Sequence, residues 1–169
     1  MRFGYTKGRS MAKVILICGK ICSGKSTYAK ELCRQNHTAL LSVDEITLAL
    51  FGQYCGDMHD TYVERTQNYL FDKSLELIEA GINVVLDWGF WMKEERNFAR
   101  AFYNSRNIPC EFHYIDISEE TWKARLQKRN SAVLANEASA YFIDDNLAAK
   151  FGALFELPCK DEIDVWVKQ

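Results

Sequence analysis

The sequence has few of the features that mark a protein as disordered, secreted or membrane-spanning. It contains only two prolines, and its 48% apolar and 13% aromatic residues are typical of a packed globule. No apolar run approaches the length of about 18 residues expected of a membrane helix, and residues 1–10 contain no hydrophobic segment of a secretory signal. We therefore expect a cytoplasmic protein that does not bind membranes, in which residues 1–10 are a flexible N-terminal extension.

A surplus of positive charge is also missing. The chain has 21 basic and 23 acidic residues, which give a net charge of -2 with the two signs interspersed. Extended, sequence-independent binding to nucleic acid needs Lys and Arg concentrated on one face. The charges therefore disfavour nucleic acid as the main partner, although they leave a short terminal contact open.

The length and the cysteines indicate one intracellular domain. A chain of 169 residues fits a single core, which we assign to residues 11–169. The six cysteines lie in apolar runs or helical patterns and lack the spacing of a small disulfide-rich scaffold. We expect reduced thiols, and no zinc site at Cys55 and His59, because a structural zinc needs four ligands.

Short apolar runs alternate with stretches of helical periodicity along the chain. This alternation predicts an α/β fold with a doubly wound parallel sheet. We predict strands at residues 13–18, 39–43, 82–87, 110–117 and 163–167, and helices at residues 26–34, 45–51, 60–79, 94–105, 122–129 and 147–151.

The most specific motif lies between the first predicted strand and the first predicted helix. It reads GKICSGKS and matches the pattern G-x-x-x-x-G-K-[ST] without a mismatch. Its glycines let successive backbone N–H groups point inward, and the N-terminus of the following helix adds positive charge, so that an anion is cradled. We expect nucleotide phosphates to bind at nine consecutive residues: Gly19, Lys20, Ile21, Cys22, Ser23, Gly24, Lys25, Ser26 and Thr27.

Two side chains of this motif carry specific chemistry. Lys25 supplies a mobile positive charge that can follow the γ-phosphate of ATP during transfer. The hydroxyl of Ser26 is of the type that binds the magnesium ion bridging the β- and γ-phosphates. The expected cofactors are therefore ATP and Mg²⁺.

Two carboxylates follow predicted strands. Asp44 comes after the run 40–43 and Asp87 after the run 84–86, so both should lie at the carboxyl edge of the sheet, where such sheets bind ligands. We assign Asp44 to an acceptor hydroxyl and Asp87 to magnesium, with the reverse assignment left open. Helix N-capping is the structural alternative for both, above all for Asp44.

Arg125 and Arg129 are four residues apart and share one face of a predicted helix. They precede an irregular stretch at residues 130–145 that could act as a lid. We expect their guanidinium groups to clamp the transferring phosphate, whereas a solvated helix face is the alternative.

Several motifs occur in a familiar order over residues 12–162: GKICSGKST, SVDEI, VVLDWGF, RLQKRN and FELPCKDE. In these the sequence resembles small P-loop kinases related to nucleoside monophosphate kinases, with an AAA-type ATP-binding domain. The branch is that of polynucleotide 5′-kinases, chloramphenicol phosphotransferases and zeta-type toxins. The resemblance implies a three-layer P-loop NTPase fold with a five-stranded parallel sheet, helices on both faces and a small lid near residues 130–145.

The resemblance also implies roles for individual residues. Lys25 and Ser26 would bind phosphates and magnesium, Asp44 would be the acceptor-side base, and Arg125 and Arg129 would belong to the lid. Residues 155–158 would lie near the adenine. One departure is Thr47, because polynucleotide kinases tend to carry an arginine three residues after the catalytic aspartate.

Three functions agree with these observations. The leading one is transfer of the γ-phosphate to a hydroxyl of a small molecule. The second is a polynucleotide or nucleoside 5′-kinase. The third is a regulatory protein whose ATP state switches a partner surface.

Overall fold

Five parallel strands form the sheet at the centre of the molecule, in the order β2-β3-β1-β4-β5. A computed structural model describes residues 11–35, 37–53 and 56–169 of the chain. The predicted extension at residues 1–10 and the predictions for Cys55 lie outside the described residues. The strands are β1 Val14–Cys18, β2 Thr38–Ser42, β3 Asn83–Asp87, β4 Cys110–Asp116 and β5 Val165–Lys168.

Helices cover both faces of this sheet. They are α1 Lys25–Gln35, α2 Val43–Phe51, α3 His59–Glu79, α4 Lys93–Asn104, α5 Glu119–Leu134 and α6 Asp145–Leu154, with short 3₁₀ turns at Gly56–Met58 and Lys160–Glu162. The larger core cluster packs α3 and α4 against one face, and a smaller cluster packs α1 against the other. The predicted α/β class, five-stranded parallel sheet and helices on both faces are confirmed.

The apolar sequence of β1 explains its central position in the sheet. All five residues of β1, VILIC, are buried, as expected of a strand covered on both faces. The register places Ile17 of β1 beside Asp87 of β3, and Asp87 beside Ser42 of β2. The carboxyl ends of β2, β3 and β1 therefore meet at one edge of the sheet.

Several predicted boundaries differ from the structure by one or more residues, and two of these differences bear on the site. The strand predicted at residues 39–43 ends at Ser42, because the Ser42 hydroxyl accepts a hydrogen bond from the Glu45 N–H at 3.4 Å and starts α2 at Val43. Asp44 therefore lies in the first turn of a helix, and Ser42 is the N-cap. The irregular stretch predicted from residue 130 begins later, because α5 continues to Leu134.

The segment at residues 135–144 is not helical and is attached to the rest of the fold by side chains. The Asn130 amide donates to the Ile143 carbonyl at 2.6 Å and accepts from its N–H at 3.1 Å. Gln53 likewise bonds Ala140 and Phe142. In the part of the chain that the structure describes, no helix has the length and apolarity that crossing a membrane requires.

Candidate active site

The loop between β1 and α1 has a backbone that suits its glycines. Gly19 and Gly24 have φ angles of 154° and 100°, which side chains rarely adopt. A Cβ at Gly24 would lie 2.8 Å from the Arg125 guanidinium, and one at Gly19 would lie 2.9 Å from the Ser23 hydroxyl. The loop is therefore closely packed as well as turned, which keeps its N–H groups in the arrangement of an anion cradle.

The ammonium of Lys25 lies inside this loop. Its Nζ donates to the carbonyls of Gly19 at 3.0 Å and Lys20 at 2.7 Å. Burial lowers the pKa of Lys25, and the negative charges of Asp87 and Asp44 act in the opposite direction. The structure thus brings both predicted carboxylates within electrostatic reach of the lysine.

Asp87 ends β3 and is only 4% exposed. Burial raises its pKa and the charge of Asp44 adds to the rise, whereas hydrogen bonds from Ser26 and Ser42 and the charge of Lys25 oppose it. The carboxylate of Asp87 and the hydroxyl of Ser26 are hard oxygen ligands in contact with each other. They fit Mg²⁺, which proteins usually hold through one or two carboxylates together with water and substrate phosphates.

Asp44 is exposed and reaches the site from the first turn of α2. It lines a cleft that begins at the phosphate loop, and Thr27 in the first turn of α1 lines it too. A carboxylate at this position is open to an incoming molecule, whereas the buried Asp87 is not. This difference in exposure agrees with an acceptor-side role for Asp44 and a metal-side role for Asp87.

The two arginines of α5 contact the phosphate loop and are partly exposed. Arg125 donates to the Ser23 carbonyl at 2.8 Å and to Gln169 Oε1 at 3.0 Å. Arg129 donates to Cys22 Sγ at 3.4 Å, and its Nε is buried without a hydrogen-bond partner among the described residues. Contact with the loop favours the predicted phosphate clamp over the alternative of a solvated helix face, and the clamp stays a prediction.

Other contacts at the loop were not predicted from the sequence. The Trp122 indole donates to the Ile21 carbonyl at 2.8 Å, and the Lys20 ammonium pairs with Glu119 at 3.3 Å. Together with Arg125 and Arg129 they fasten α5 to the loop. The helical spacing of Trp122, Arg125 and Arg129 is the one signal in the sequence that could have indicated a shared face.

The cleft measures about 1030 Å³. Beyond the loop it is lined by α2, α3, α6 and the segment after β3. All three aromatic residues in that segment line the cleft. Trp88 and Phe90 also belong to the core, whereas the Trp91 ring lies 4.6 Å from that of Phe151. Residues 155–158, expected near the adenine, are not among the described residues that line the cleft.

Comparison with known proteins places the chain among nucleotide-binding folds. A family model described as an AAA domain matches residues 14–149. No curated protein matches the chain in sequence.

Several solved structures have a similar fold. A sugar kinase from Janibacter sp. HTCC2649 is 17% identical with a TM-score of 0.64, and the match covers 93% of this chain and 85% of that one. An APS kinase from Mycobacterium tuberculosis, solved with AMPPNP and APS, is 19% identical with a TM-score of 0.63, and the match covers 94% of this chain and 88% of that one. A chain of the Pnkp1/Rnl/Hen1 RNA repair complex is 20% identical with a TM-score of 0.70, and the match covers 88% of this chain and 45% of that one. At these identities the likeness establishes the fold, and the predicted P-loop kinase-like fold is confirmed.

Proposed function

The chain belongs to the family of AAA domains, and from this membership and its fold we propose that it is an ATP-dependent phosphotransferase. The acceptor in this proposal is a hydroxyl of a small molecule. The observation that carries it is the arrangement of Asp44 and Asp87, which line the same cleft as Lys25 and come from two different junctions of the sheet. One carboxylate is exposed in the cleft and the other is buried against Ser26.

The proposed reaction assigns one task to each group. Asp44 accepts the proton of the acceptor hydroxyl while the acceptor oxygen bonds to the γ-phosphorus and the bond from that phosphorus to the bridging oxygen of ADP breaks. Lys25, Arg125 and Arg129 stabilise the negative charge on the phosphates. Ser26 and Asp87 would hold magnesium, which supplies further neutralisation of that charge.

We also propose that residues 11–169 form one domain in which residues 135–144 act as a lid. Tyr141 and Phe142 of this segment line the cleft. The segment lacks helical hydrogen bonding and is held by a few side-chain contacts, among them those of Asn130 and Gln53. Such a segment can open and close at low cost, and closure would exclude water from the phosphate.

A polynucleotide 5′-kinase has less support. At the position where those enzymes tend to carry arginine, Thr47 is 1% exposed and its hydroxyl donates to the Val43 carbonyl at 2.8 Å. It also accepts a hydrogen bond from the Tyr141 hydroxyl at 3.1 Å. Thr47 therefore supports α2 and the 135–144 segment and carries no charge for a polynucleotide phosphate.

The test is magnesium-dependent ADP formation by the wild type and by Asp44→Asn. Both proteins are assayed with pools of small metabolites, nucleosides, antibiotics and 5′-hydroxyl oligonucleotides. A small-molecule pool should stimulate the wild type, and Asp44→Asn should reduce that stimulation by about 100-fold or more, as expected for loss of a general base. Asp72→Asn, an exposed carboxylate of α3 outside the cleft, is the matched control and should behave as the wild type.

Two results would contradict the proposal. Stimulation by oligonucleotides alone, with a steep dependence on salt, would indicate a polynucleotide kinase. If no pool raises turnover and the two proteins behave alike, an ATP-dependent switch becomes the better account.

A further inference from the structure

The cleft has two ends of opposite charge. Its positive end is the phosphate loop with Lys25, Arg125 and Arg129. Among the described residues, the rest of the cleft is lined by four carboxylates and by two basic side chains, those of His59 and Lys150. The carboxylates are those of Asp44, Asp60, Glu64 and Glu95.

Three of these four carboxylates are not neutralised by the protein. Asp44, Asp60 and Glu64 are exposed, and none of them forms a salt bridge within the ranges that the structure describes. Glu95 differs, since it accepts a hydrogen bond from the Met92 N–H at 3.0 Å and caps α4. A cleft lined by one sign of charge concentrates ligands of the other sign.

The remaining wall is apolar and aromatic. Val63 and Leu147 line it, together with Trp91 and Phe151, whose ring centroids are 4.6 Å apart. Aromatic faces bind cations as well as apolar groups. This wall of the cleft can therefore contact both the ammonium group and the hydrocarbon surface of a ligand.

A phosphate-bearing acceptor lacks partners in this part of the cleft. Such a group is usually held by Arg in a bidentate contact or by several basic side chains. Arg65 of α3 is exposed and is not among the described residues that line the cleft, and Thr47 is buried. Among the described residues, only His59 and Lys150 stand against the four carboxylates, so an anionic acceptor would meet net repulsion.

We propose that the acceptor is a small alcohol that carries a protonated amine and an apolar part, and that carries no phosphate. This inference rests on the proposed phosphotransferase function, because it assigns the carboxylate end of the cleft to the acceptor. Single small-molecule pockets measure roughly 300–1,000 Å³. A cleft of about 1030 Å³ lies at the upper end of this range, which leaves room for a nucleotide together with a small acceptor.

Binding is tested first with three probes of one shape: benzylamine, benzyl alcohol and benzoate. Their affinities are measured by tryptophan fluorescence with magnesium and a non-hydrolysable ATP analogue present. Benzylamine should bind about tenfold more tightly than benzoate, with benzyl alcohol between them. Asp60→Asn and Glu64→Gln should each weaken benzylamine about two- to fivefold without weakening benzoate, whereas Asp72→Asn should change neither.

Turnover is tested separately with amino alcohols and amino sugars, their N-acetylated forms and their phosphate esters. The amine forms should stimulate ADP formation most, and Glu64→Gln should raise their KM while leaving the KM for ATP unchanged. Equal or tighter binding of benzoate, or preferred use of phosphate esters, would overturn the acceptor class and leave phosphotransfer standing. Selective binding of benzylamine without stimulated turnover by any pool would support a cation-binding cleft and overturn the phosphotransferase.

Discussion

Replacement of Arg96 by methionine should destabilise the fold more than any other change of an arginine to methionine in α4. Arg96 is 2% exposed and its Nε donates to Glu162 Oε2 at 2.7 Å. Its Nη1 donates to the carbonyls of Phe90 and Trp91, each at 3.0 Å. One guanidinium thus joins α4, the segment that leads to the aromatic wall of the cleft, and the turn before β5.

The size of the effect follows from burial. Removing one partner of a buried ion pair costs about 3–5 kcal/mol, because the other charge stays buried without compensation. The side chain of Glu162 is 9% exposed and keeps the Cys159 N–H at 3.0 Å and the Lys93 ammonium at 3.9 Å, so we expect the low end of this range, about 3 kcal/mol. For a domain of this size each kcal/mol lowers Tm by about 2–4 °C, which gives a fall of roughly 6–12 °C.

The assay is urea denaturation followed by circular dichroism, with Arg106→Met as the control. Arg106 lies just beyond the end of α4, is exposed and donates to the Phe102 carbonyl, so its loss should cost about 0.5 kcal/mol. The double variant Arg96→Met, Glu162→Gln should recover part of the loss, since the unpaired charge is removed. Equal losses for Arg96→Met and Arg106→Met would refute the reasoning.

The pH dependence gives an independent check. Burial alone would raise the pKa of Glu162, but the hydrogen bonds from Arg96 and the Cys159 N–H and the charges of Arg96 and Lys93 hold it below its usual value. A carboxyl with a depressed pKa in the folded state contributes stability above its unfolded pKa, and this contribution is lost as pH falls through the folded pKa. Arg96→Met should therefore lose less stability than the wild type on acidification below about pH 4.5.

Three further predictions concern the cleft. Asp87→Asn should abolish most magnesium-dependent ADP formation, by about 100-fold or more, yet be at least as stable as the wild type at neutral pH. Because the pKa of Asp87 is raised in the folded state, its contribution to stability falls as pH rises from the unfolded to the folded pKa. Thermal melts of the variant from pH 4 to 7 should lack that decline. A variant that is less stable than the wild type at pH 7 would contradict this. Lys25→Ala should fold normally and bind ATP about 10- to 100-fold more weakly in calorimetry, because the substitution deletes a charge contact. Unchanged ATP affinity in a folded variant would mean that the loop is not the ATP site. Gly89→Ala should raise the KM for the acceptor with little change in the KM for ATP, because its Cβ would come within 2.1 Å of the Trp91 indole and displace that ring; an unchanged acceptor KM would show that Trp91 does not contact the acceptor.

Local patterns were sufficient for the sheet and for the phosphate loop. The runs of β1 and β3 are short, apolar and followed by polar residues, so their ends could be predicted to within one residue. The end of α5 could not be predicted, since none of its residues is buried and it therefore lacks an apolar stripe that would reveal its length. The error at Val43 has another cause, because a buried β-branched residue next to a strand fits either element and only the Ser42 cap decides.

One end of the candidate site could likewise be predicted from the sequence, and the other end could not. The nucleotide end is built from nine consecutive residues, 19–27, and a contiguous motif fixes their relative positions. The other end is assembled from α2, α3, α6 and the segment after β3, which lie far apart in sequence. Trp88 and Phe90 belong to the core as well as to the cleft wall, whereas Trp91 packs on Phe151 of α6. The sequence alone gives no means to tell these positions apart.

This division has a consequence for specificity. Substitutions at Asp60, Glu64 or Trp91 alter the charge or shape of the acceptor end without touching any residue of the phosphate loop. Asp44 differs, because it lies between the two ends and its charge acts on both Lys25 and Asp87. We therefore expect replacement of Asp44 to abolish the proposed transfer, whereas replacement of Asp60 or Glu64 should change the preferred acceptor and retain the transfer.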